Sequence, residues 1–170
     1  KGRVMALDVH EGRLGLIAQA AERLQIESVE TRCVDATQLS SQQWELAERV
    51  LVDAPCSGLG VIRRKPDIRW HRTEDAIREL AALQLTILGE SAGLVKPGGV
   101  LVYSVCSIEP EETTSVVASF LQQHPNFAPT DWPEHLAKVW GEELQDGCLY
   151  TYPHRHGLDG FFICRLRRNT

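Results

Sequence analysis

Two cysteines lie where apolar, strand-like runs end, in "VLVDAPCSGLG" at residues 50–60 and in "GVLVYSVCSIEPEE" at residues 99–112. A cysteine thiolate is the most nucleophilic ordinary side chain, so Cys56 and Cys106 are candidates for covalent catalysis. The glutamates at 109, 111 and 112 would raise the pKa of the Cys106 thiol, whereas the dipole of a helix starting at Pro110 would lower it. The sequence leaves the net direction of that shift open.

Three carboxylates also lie at predicted strand ends, namely Asp8, Asp35 and Asp53. A single aspartate at such a position is commonly a turn former or a helix cap. Three in series beside two thiols favour one shared site at the carboxyl ends of the strands, where ligands bind in open α/β sheets. Carboxylates accept hydrogen bonds from ribose hydroxyls and from an adenine amino group, which indicates a nucleoside-type cofactor.

The elements that must position these groups alternate along the chain. Apolar periodicity predicts strands at 4–8, 29–34, 50–52, 100–105 and 159–166, and helices at 13–24, 73–94 and 110–123. We expect "KPGG" at 96–99 to end the long helix, and residues 126–148 to be irregular surface structure. The order predicts an α/β fold with a mostly parallel sheet, in one domain over residues 1–170.

Composition narrows the class of protein. The chain is 43% hydrophobic and 24% charged, has no apolar run of the roughly 20 residues that a membrane span needs, and starts with no secretory leader. Its five cysteines form no CxxC pair, so we expect neither a disulfide framework nor a metal site. We expect the protein to be in a reducing cytoplasm. Cys33, Cys148 and Cys164 are expected to be small buried hydrophobic residues.

A basic segment follows the first cysteine motif, although the net charge of −5 does not by itself favour nucleic-acid binding. On charge alone, this segment is either a solvated loop or a set of contacts to a phosphate backbone. Its side chains are Arg63, Arg64, Lys65, Arg69, His71 and Arg72.

Two other site chemistries fit less well. Gly58 and Gly60 are followed by Arg63 where a dinucleotide loop needs a third glycine, and the chain has no Walker lysine motif. A cysteine hydrolase would need a histidine base, but no signature of that class surrounds either cysteine. The histidines available for that role are His10, His71, His154 and His156.

The motifs "LVDAPCSGLGVIRRKPDIRW", "LVYSVCSIEPEE" and "DGFFICRL", in this order and spacing, resemble those of the RNA cytosine-C5 methyltransferases. Within that family the resemblance is to the bacterial enzymes of 16S rRNA, and it covers nearly the whole chain. It implies a Rossmann-like core that uses S-adenosylmethionine. Two positions depart from the family pattern: Val105 stands where threonine is usual, and "PEETT" where "PEEN" is common.

The resemblance also implies roles for single residues. Asp8 would bind the ribose of S-adenosylmethionine, Asp35 would lie near its adenine, and Asp53 would lie at the methyl-donor end. Cys106 would attack C6 of a cytosine in RNA, which activates C5 for methylation, and Cys56 would assist release of the product. In DNA enzymes the Pro-Cys cysteine is the nucleophile, which would nominate Cys56, but "PCSG" with a second strand-end cysteine favours the RNA type.

The substrate that the resemblance implies is a cytosine in RNA. The enzyme can reach this base only when it is unstacked, and RNA enzymes usually find such bases in loops. The proposed contacts to the RNA backbone are Arg63, Arg64, Lys65, Arg69 and Arg72. The alternative is a methyltransferase-like module that binds RNA or a partner without turnover.

The family has a Gly-rich "PGGK" loop with its preceding strand just before the position of Lys1, and an RNA-binding domain further upstream. That strand is central in the methyltransferase sheet. Without it, the sequence predicts two unpaired strand edges, which favour swapping or dimerisation. We expect a C-terminal part of the catalytic domain that binds the cofactor weakly and methylates poorly or not at all by itself.

Overall fold

The computed structural model describes residues 2–170, and strands alternate with helices as the sequence predicts. The strands are β1 (Val4–Asp8), β2 (Val29–Cys33), β3 (Ala47–Asp53), β4 (Val95–Val105), β5 (Phe127–Pro129), β6 (Leu144–Gln145), β7 (Cys148–Thr151) and β8 (Phe161–Arg168). The helices are α1 (Glu11–Arg23), α2 (Ile68–His71), α3 (Glu74–Ala92), α4 (Thr114–Gln123), α5 (Glu134–Trp140) and α6 (Pro153–His156). Short 3₁₀ turns occupy Ala36–Ser41, Leu59–Val61, Pro110–Glu112 and Gly141–Glu143.

The chain divides after Gln43 into two compact units, each with its own sheet. In the first unit, β1 and β2 form a parallel pair on which α1 packs. In the second, the strands form one sheet in the order β3-β4-β8-β7-β6, with β5 also paired to β8. The α/β class is therefore confirmed.

Parallel and antiparallel strand pairs occupy different parts of the chain. The pairs β1–β2 and β3–β4, whose members are joined through helices, are parallel as predicted. Each pairing of the C-terminal strand β8, to β4, β5 and β7, is antiparallel. The antiparallel strands extend the sheet on the far side of β4 from β3.

The core of the second unit is built around β4. This strand lies between β3 and β8, and α3 packs against it. Its side chains Leu101, Tyr103 and Val105 are fully buried, together with Leu88 of α3 and Phe120 of α4. A strand that is covered on both faces has a near-continuous apolar sequence, which is why "VLVYSV" carries no strict alternation. The carboxyl end of β4, where Cys106 follows, is thus held by a fully buried core.

The "KPGG" motif lies within β4, so the expectation that it ends the long helix is wrong. Helix α3 ends at Ala92, where the N–H of Gly93 donates to the carbonyl of Glu90 and the N–H of Leu94 donates to the carbonyl of Ser91. The motif forms an irregularity in the β3–β4 ladder, where pairing passes from Ala47–Val95 to Arg49–Val100. Gly98 has a φ of +75°, and a Cβ on Gly99 would lie 2.9 Å from the carbonyl oxygen of Glu48, so glycines are required.

Residues 126–148 are more regular than expected. They contain β5, α5 and β6. The prolines and glycine that predicted an irregular segment lie at element ends: Pro129 is the last residue of β5, Pro133 caps the start of α5 and Gly141 caps its end. Proline and glycine are tolerated there because no ladder or helix hydrogen bond is lost.

The helix predicted from Pro110 is interrupted. Pro110–Glu112 form a 3₁₀ turn, Thr113 has the non-helical angles φ −116° and ψ −100°, and α4 begins at Thr114. The Thr113 hydroxyl donates to the carbonyl of Glu109 at 2.9 Å, a local bond that competes with continuous helix. Cys106 is consequently not followed by one uninterrupted helix.

Both strand edges that the sequence predicts to be unpaired are present. Within residues 2–170, β1 pairs with β2 alone and β3 pairs with β4 alone. On the β3 edge, Leu51 is 69% exposed, which is unusual for an aliphatic side chain in a strand. Such edges are sites where a further strand can be added.

Candidate active site

The two cysteine loops leave neighbouring parallel strands at the same edge of the sheet. Asp53 at the end of β3 is in register with Ser104 near the end of β4. The N–H of Ala54 donates to the Ser104 carbonyl at 3.0 Å, which continues the ladder into the first loop. Cys56 and Cys106 therefore lie in adjacent loops at the carboxyl edge, as the sequence predicts for a shared site.

The two sulfur atoms are in contact: Cys56 Sγ lies 3.1 Å from Cys106 Sγ. Both side chains are partly exposed, so they are accessible to a reactant. The hydrogen bond from Cys56 is the main cause that lowers the pKa of Cys106 to about 7, against burial and the charges of Asp53 and Glu112, which raise it. The same bond and burial raise the pKa of Cys56.

The direction left open by the sequence is thereby decided. Cys106 ionises first and Cys56 keeps its proton, so Cys56 donates to the Cys106 thiolate. The sequence predicts that a helix dipole lowers the Cys106 pKa, but the helix at Pro110 is interrupted after three residues. The neighbouring thiol of Cys56 lowers that pKa instead. Thiolate character at neutral pH is the property that a cysteine nucleophile needs.

A buried polar network lies behind the thiol pair. Glu112, fully buried, accepts hydrogen bonds from the backbone N–H and the hydroxyl of Ser57 and from the amide Nε2 of Gln84. Gln84 Nε2 also lies 2.9 Å from the carbonyl oxygen of Pro55. The Tyr103 hydroxyl lies 2.7 Å from the carbonyl oxygen of Glu112 and 3.0 Å from Gln84 Oε1.

These network residues are not among the sequence-predicted site residues, although the sequence carries a signal for them. Glu112 precedes the buried Val116 and Phe120 at intervals of four residues, which puts it on the apolar face of the helix that the sequence predicts over 110–123. Gln84 likewise shares the buried face of α3 with Leu88. A charged or amide side chain on an apolar face indicates a buried polar contact.

Gly60 joins three segments at this edge. Its N–H donates to the carbonyl of Cys106 at 3.0 Å, and its own carbonyl accepts from the N–H of Gly160 at 2.8 Å. A Cβ at Gly60 would lie 1.9 Å from the Gly160 oxygen, so only glycine allows this approach. The junction fixes both cysteine loops against the segment that enters β8.

Three of the five predicted RNA contacts have partners inside the chain. Arg63 and Arg64 form ion pairs with Asp159 at 3.5 and 3.0 Å, and Arg72 Nε donates to the Ser57 carbonyl at 2.8 Å. Lys65 and Arg69 are exposed, and the Arg69 guanidinium lies 4.5 Å from the ring centre of Trp70. Arg72 attaches the basic segment directly to the loop of Cys56.

A cavity of about 460 Å³ lies within this basic segment. It is open to solvent and of a size that suits a small ligand or part of a larger one. Its lining residues are Arg64, Lys65, Pro66, Asp67, Ile68, His71 and Arg72. The cavity lies beside the cysteine loop rather than around the two sulfurs.

The predicted cofactor carboxylates of the first unit lie at the carboxyl ends of β1 and β2. Asp8 Oδ1 accepts from the N–H of His10 at 2.7 Å, and Oδ2 lies 3.6 Å from Arg13. Asp35 Oδ1 accepts from the N–H and the hydroxyl of Thr37, and these bonds lower the Asp35 pKa. Both carboxylates thus also serve as turn or cap residues. Asp53, in the second unit, is exposed.

The remaining cysteines differ in burial. Cys164 is fully buried as expected. Cys148 is partly exposed, and Cys33 is exposed, so the expectation that Cys33 is buried is wrong. Cys33 is the last residue of β2, one of the two strands of a two-stranded sheet, and little of the chain covers it.

Two features are absent from residues 2–170. None of their helices has the length and apolar character needed to cross a membrane. Among the side chains that the structure describes, no group of three or more His, Cys, Asp or Glu residues could hold a metal ion.

The model of one protein family, described as 16S rRNA methyltransferase RsmB/F, matches residues 1–167. Among curated proteins, the chain is 43% identical over 170 residues to the "Probable ribosomal RNA small subunit methyltransferase B" of Bacillus subtilis. That match covers 99% of this chain but only 38% of the relative.

Two solved structures from Pyrococcus horikoshii share the fold. One, NSun6 with SFG, is 28% identical with a TM-score of 0.83, covering 100% of this chain and 42% of that one. The other, a methyltransferase homolog protein, is 32% identical with a TM-score of 0.77, covering 99% of this chain and 54% of that one. The methyltransferase family and the Rossmann-like fold implied by the motifs are confirmed.

Proposed function

Because the chain belongs to the 16S rRNA methyltransferase RsmB/F family, we propose that it transfers a methyl group from S-adenosylmethionine to C5 of a cytosine in RNA, with 16S rRNA as substrate. The observation that carries the proposal is the pair of sulfurs 3.1 Å apart at the ends of two parallel strands. The name of the Bacillus subtilis relative supports the substrate class.

In the proposed reaction, Cys106 is the nucleophile. Its thiolate attacks C6 of the cytosine, which makes C5 electron-rich enough to take a methyl group. The bound cofactor supplies that group as an electrophilic sulfonium methyl. The lowered pKa of Cys106, about 7, supports this assignment over Cys56, whose pKa is raised.

Cys56 acts in the second half of the cycle. After methylation, the C5 proton is transferred to water, the C5–C6 double bond re-forms and the Cys106 sulfur is eliminated as a thiolate. Cys56 is close enough to stabilise the departing thiolate by donating a hydrogen bond to it, and to assist proton removal directly or through water. The two thiols thus have complementary roles because they differ in pKa.

The carboxylates are chemically suited to hold the cofactor. The two bonds that Thr37 donates to Asp35 use Oδ1, and a carboxylate accepts about four hydrogen bonds, so capacity remains for an adenosine donor. We assign Asp8 to the ribose hydroxyls, Asp35 to the adenine and Asp53 to the methyl-donor end. Each of them lies at or just after the carboxyl end of a parallel strand.

The exposed cations of the basic segment are assigned to the RNA backbone. Lys65 and Arg69 are the strongest candidates, because Arg63, Arg64 and Arg72 are already engaged in holding the segment. Arg72 bonds to the residue after Cys56, so RNA bound along this segment would lie next to the thiols. Such contacts position the substrate without reading its sequence.

Trapping of the covalent intermediate tests this function. The full-length gene product is incubated with S-adenosylmethionine and ribosomal RNA as wild type, Cys56→Ala and Cys106→Ala, and protein–RNA adducts are identified by mass spectrometry. We expect an adduct at Cys106 to accumulate in Cys56→Ala and none to form in Cys106→Ala.

The other outcomes contradict the proposal in different ways. An adduct at Cys56 in Cys106→Ala would assign the nucleophile as in DNA enzymes. No adduct in any form, with RNA binding retained, would favour a module that binds RNA without turnover. Cys148→Ala is the matched control, since that thiol lies in β7 rather than at the site.

A further inference from the structure

Glu112 is a buried carboxylate to which the proposed reaction gives no role. It is fully buried, yet accepts hydrogen bonds from three donors: the N–H of Ser57 at 2.8 Å, the Ser57 hydroxyl, and Gln84 Nε2 at 2.9 Å. Burying a carboxylate is costly unless its oxygens are well paired. Because this cost is incurred next to the two thiols, a role of Glu112 in the site would explain it.

The network bonds to both neighbours of Cys56. Ser57, directly after it, donates its N–H and its hydroxyl to Glu112. Pro55, directly before it, accepts from Gln84, whose Nε2 also donates to Glu112. The backbone that carries Cys56 is therefore fixed on either side by one connected set of bonds.

The same network reaches the strand that carries Cys106. Tyr103, three residues before Cys106 on β4, places its hydroxyl 2.7 Å from the carbonyl oxygen of Glu112. Tyr103 is itself fully buried, so its ring cannot move without disturbing the core. Glu112 thus connects the loop of Cys56 to the strand of Cys106.

We propose that Glu112 is a positioning residue of the thiol pair, which holds Cys56 Sγ against Cys106 Sγ by fixing the backbone of Ser57. That Glu112 positions Cys56 against Cys106 depends only on the geometry of the thiol pair. The consequence for methylation rests on the proposed function. Its direct effect is on the hydrogen bond that keeps Cys106 ionised.

Glu112 has two opposing effects on Cys106, and substitutions separate them. The groups that face Cys106 are Cys56, whose hydrogen bond lowers its pKa, and the carboxylates Asp53 and Glu112, whose charges raise it. Glu112→Gln removes the charge but keeps the shape and one of the two acceptor oxygens. Glu112→Ala also removes the support of the Cys56 loop.

The test is the pH dependence of thiol alkylation in the full-length gene product. Iodoacetamide labelling of Cys106 is followed by peptide mass spectrometry from about pH 5.5 to about pH 9, where the rate reports the thiolate fraction. The wild-type rate should reach half its maximum near the Cys106 pKa of about 7. Neither RNA nor cofactor is needed, so the result is independent of whether methylation occurs.

We expect the two substitutions to shift the profile in opposite directions. Below the wild-type pKa, Cys106 in Glu112→Gln should react several-fold faster than in wild type, because a nearby negative charge is lost. Cys106 in Glu112→Ala should react several-fold more slowly, because the hydrogen bond from Cys56 is lost. Glu111→Gln and Glu111→Ala are matched controls, since Glu111 is exposed and adjacent, and should leave the profile unchanged.

A second variant covers the case in which Glu112→Ala does not fold. Gln84→Met removes the bonds to the Pro55 carbonyl and to Glu112 at nearly constant volume, and should slow Cys106 labelling in the same direction. The proposal is overturned if folded Glu112→Ala, or Gln84→Met in its place, has the wild-type Cys106 profile. It is also overturned if the Glu111 variants shift the profile as far as the Glu112 variants do.

Discussion

The second unit contains two pairs of cysteines whose sulfurs are in contact, and one of these pairs forms the candidate active site. Cys56 and Cys106 are 3.1 Å apart in loops at the carboxyl ends of β3 and β4. Cys148 and Cys164 are 2.7 Å apart and directly opposite each other in the β7–β8 ladder. In both pairs, one thiol has a lowered pKa and its partner a raised one, mainly because of their mutual hydrogen bond.

A split in pKa is therefore not what distinguishes the candidate site. The Cys148–Cys164 pair lies within a ladder, and Cys164 is fully buried by the sheet. The Cys56–Cys106 pair lies past the ends of parallel strands, where backbone groups leave the ladder and a reactant can approach. Position at the sheet edge and access, rather than thiol chemistry alone, favour this pair as catalytic.

The largest expected difference between the pairs is in methylation by the full-length gene product. Cys106→Ala removes the proposed nucleophile and should reduce methylation by at least about a thousandfold. Cys164→Ala should retain methylation within a few-fold and lower the free energy of unfolding by about 1 kcal/mol, through a small cavity. Incorporation of labelled methyl groups into ribosomal RNA measures the first effect and urea unfolding the second. Equal losses of methylation in both variants would contradict the distinction.

The next largest difference concerns one glycine near each cysteine pair, Gly60 near Cys56–Cys106 and Gly147 near Cys148–Cys164. Gly60→Ala places a Cβ 1.9 Å from the Gly160 oxygen, so we expect about 3 kcal/mol of destabilisation together with altered alkylation of Cys106. Gly147→Ala, at φ +74° and 2.9 Å from the Arg165 oxygen, should cost about 1–3 kcal/mol and leave Cys106 alkylation unchanged.

Urea unfolding and peptide mass spectrometry measure both glycine variants. Gly12→Ala, whose Cβ would meet nothing within 4 Å in α1, is the control and should be neutral or slightly stabilising. If Gly147→Ala altered Cys106 alkylation as much as Gly60→Ala, the two pairs would not be structurally independent.

The smallest effect concerns the basic segment, which is attached by Arg72 to the Cys56 loop. Lys65→Ala and Arg69→Ala should each weaken RNA binding a few-fold and reduce the slope of log affinity against log salt by about 1. Lys138→Ala is the control, because Lys138 is exposed and pairs with Glu134 in α5. Filter binding at several salt concentrations gives the slopes, and an unchanged slope in both variants would remove this segment from the RNA interface.

Much of the site could be predicted from the sequence because its residues lie next to strong local signals. The apolar runs that end at Asp8 and Asp53 form strands with those ends, and the two cysteine motifs fall at one edge of a parallel pair. Periodicity also gave α1 and α3 within a few residues. These features depend on neighbours in sequence, which hydrophobic patterning and turn residues encode directly.

The errors lie where distant segments decide the local conformation. "KPGG" has the composition of a helix stop, but pairing with β3 makes it part of a strand. The helix at Pro110 is interrupted at Thr113, whose hydroxyl bonds to Glu109 and also to Tyr150 of β7. Proline and glycine at 126–148 mark element ends instead of irregular structure.

The sequence by itself determined the family, the strand ends and the two thiols, because each of them is encoded by residues that are neighbours in a motif. Only the tertiary structure decided which thiol ionises, because that depends on a sulfur 50 residues away, at 3.1 Å. It also decided that Glu112 faces Ser57 rather than solvent. Contact distances between remote segments set pKa values and loop geometry, and spacing along the chain does not specify those distances.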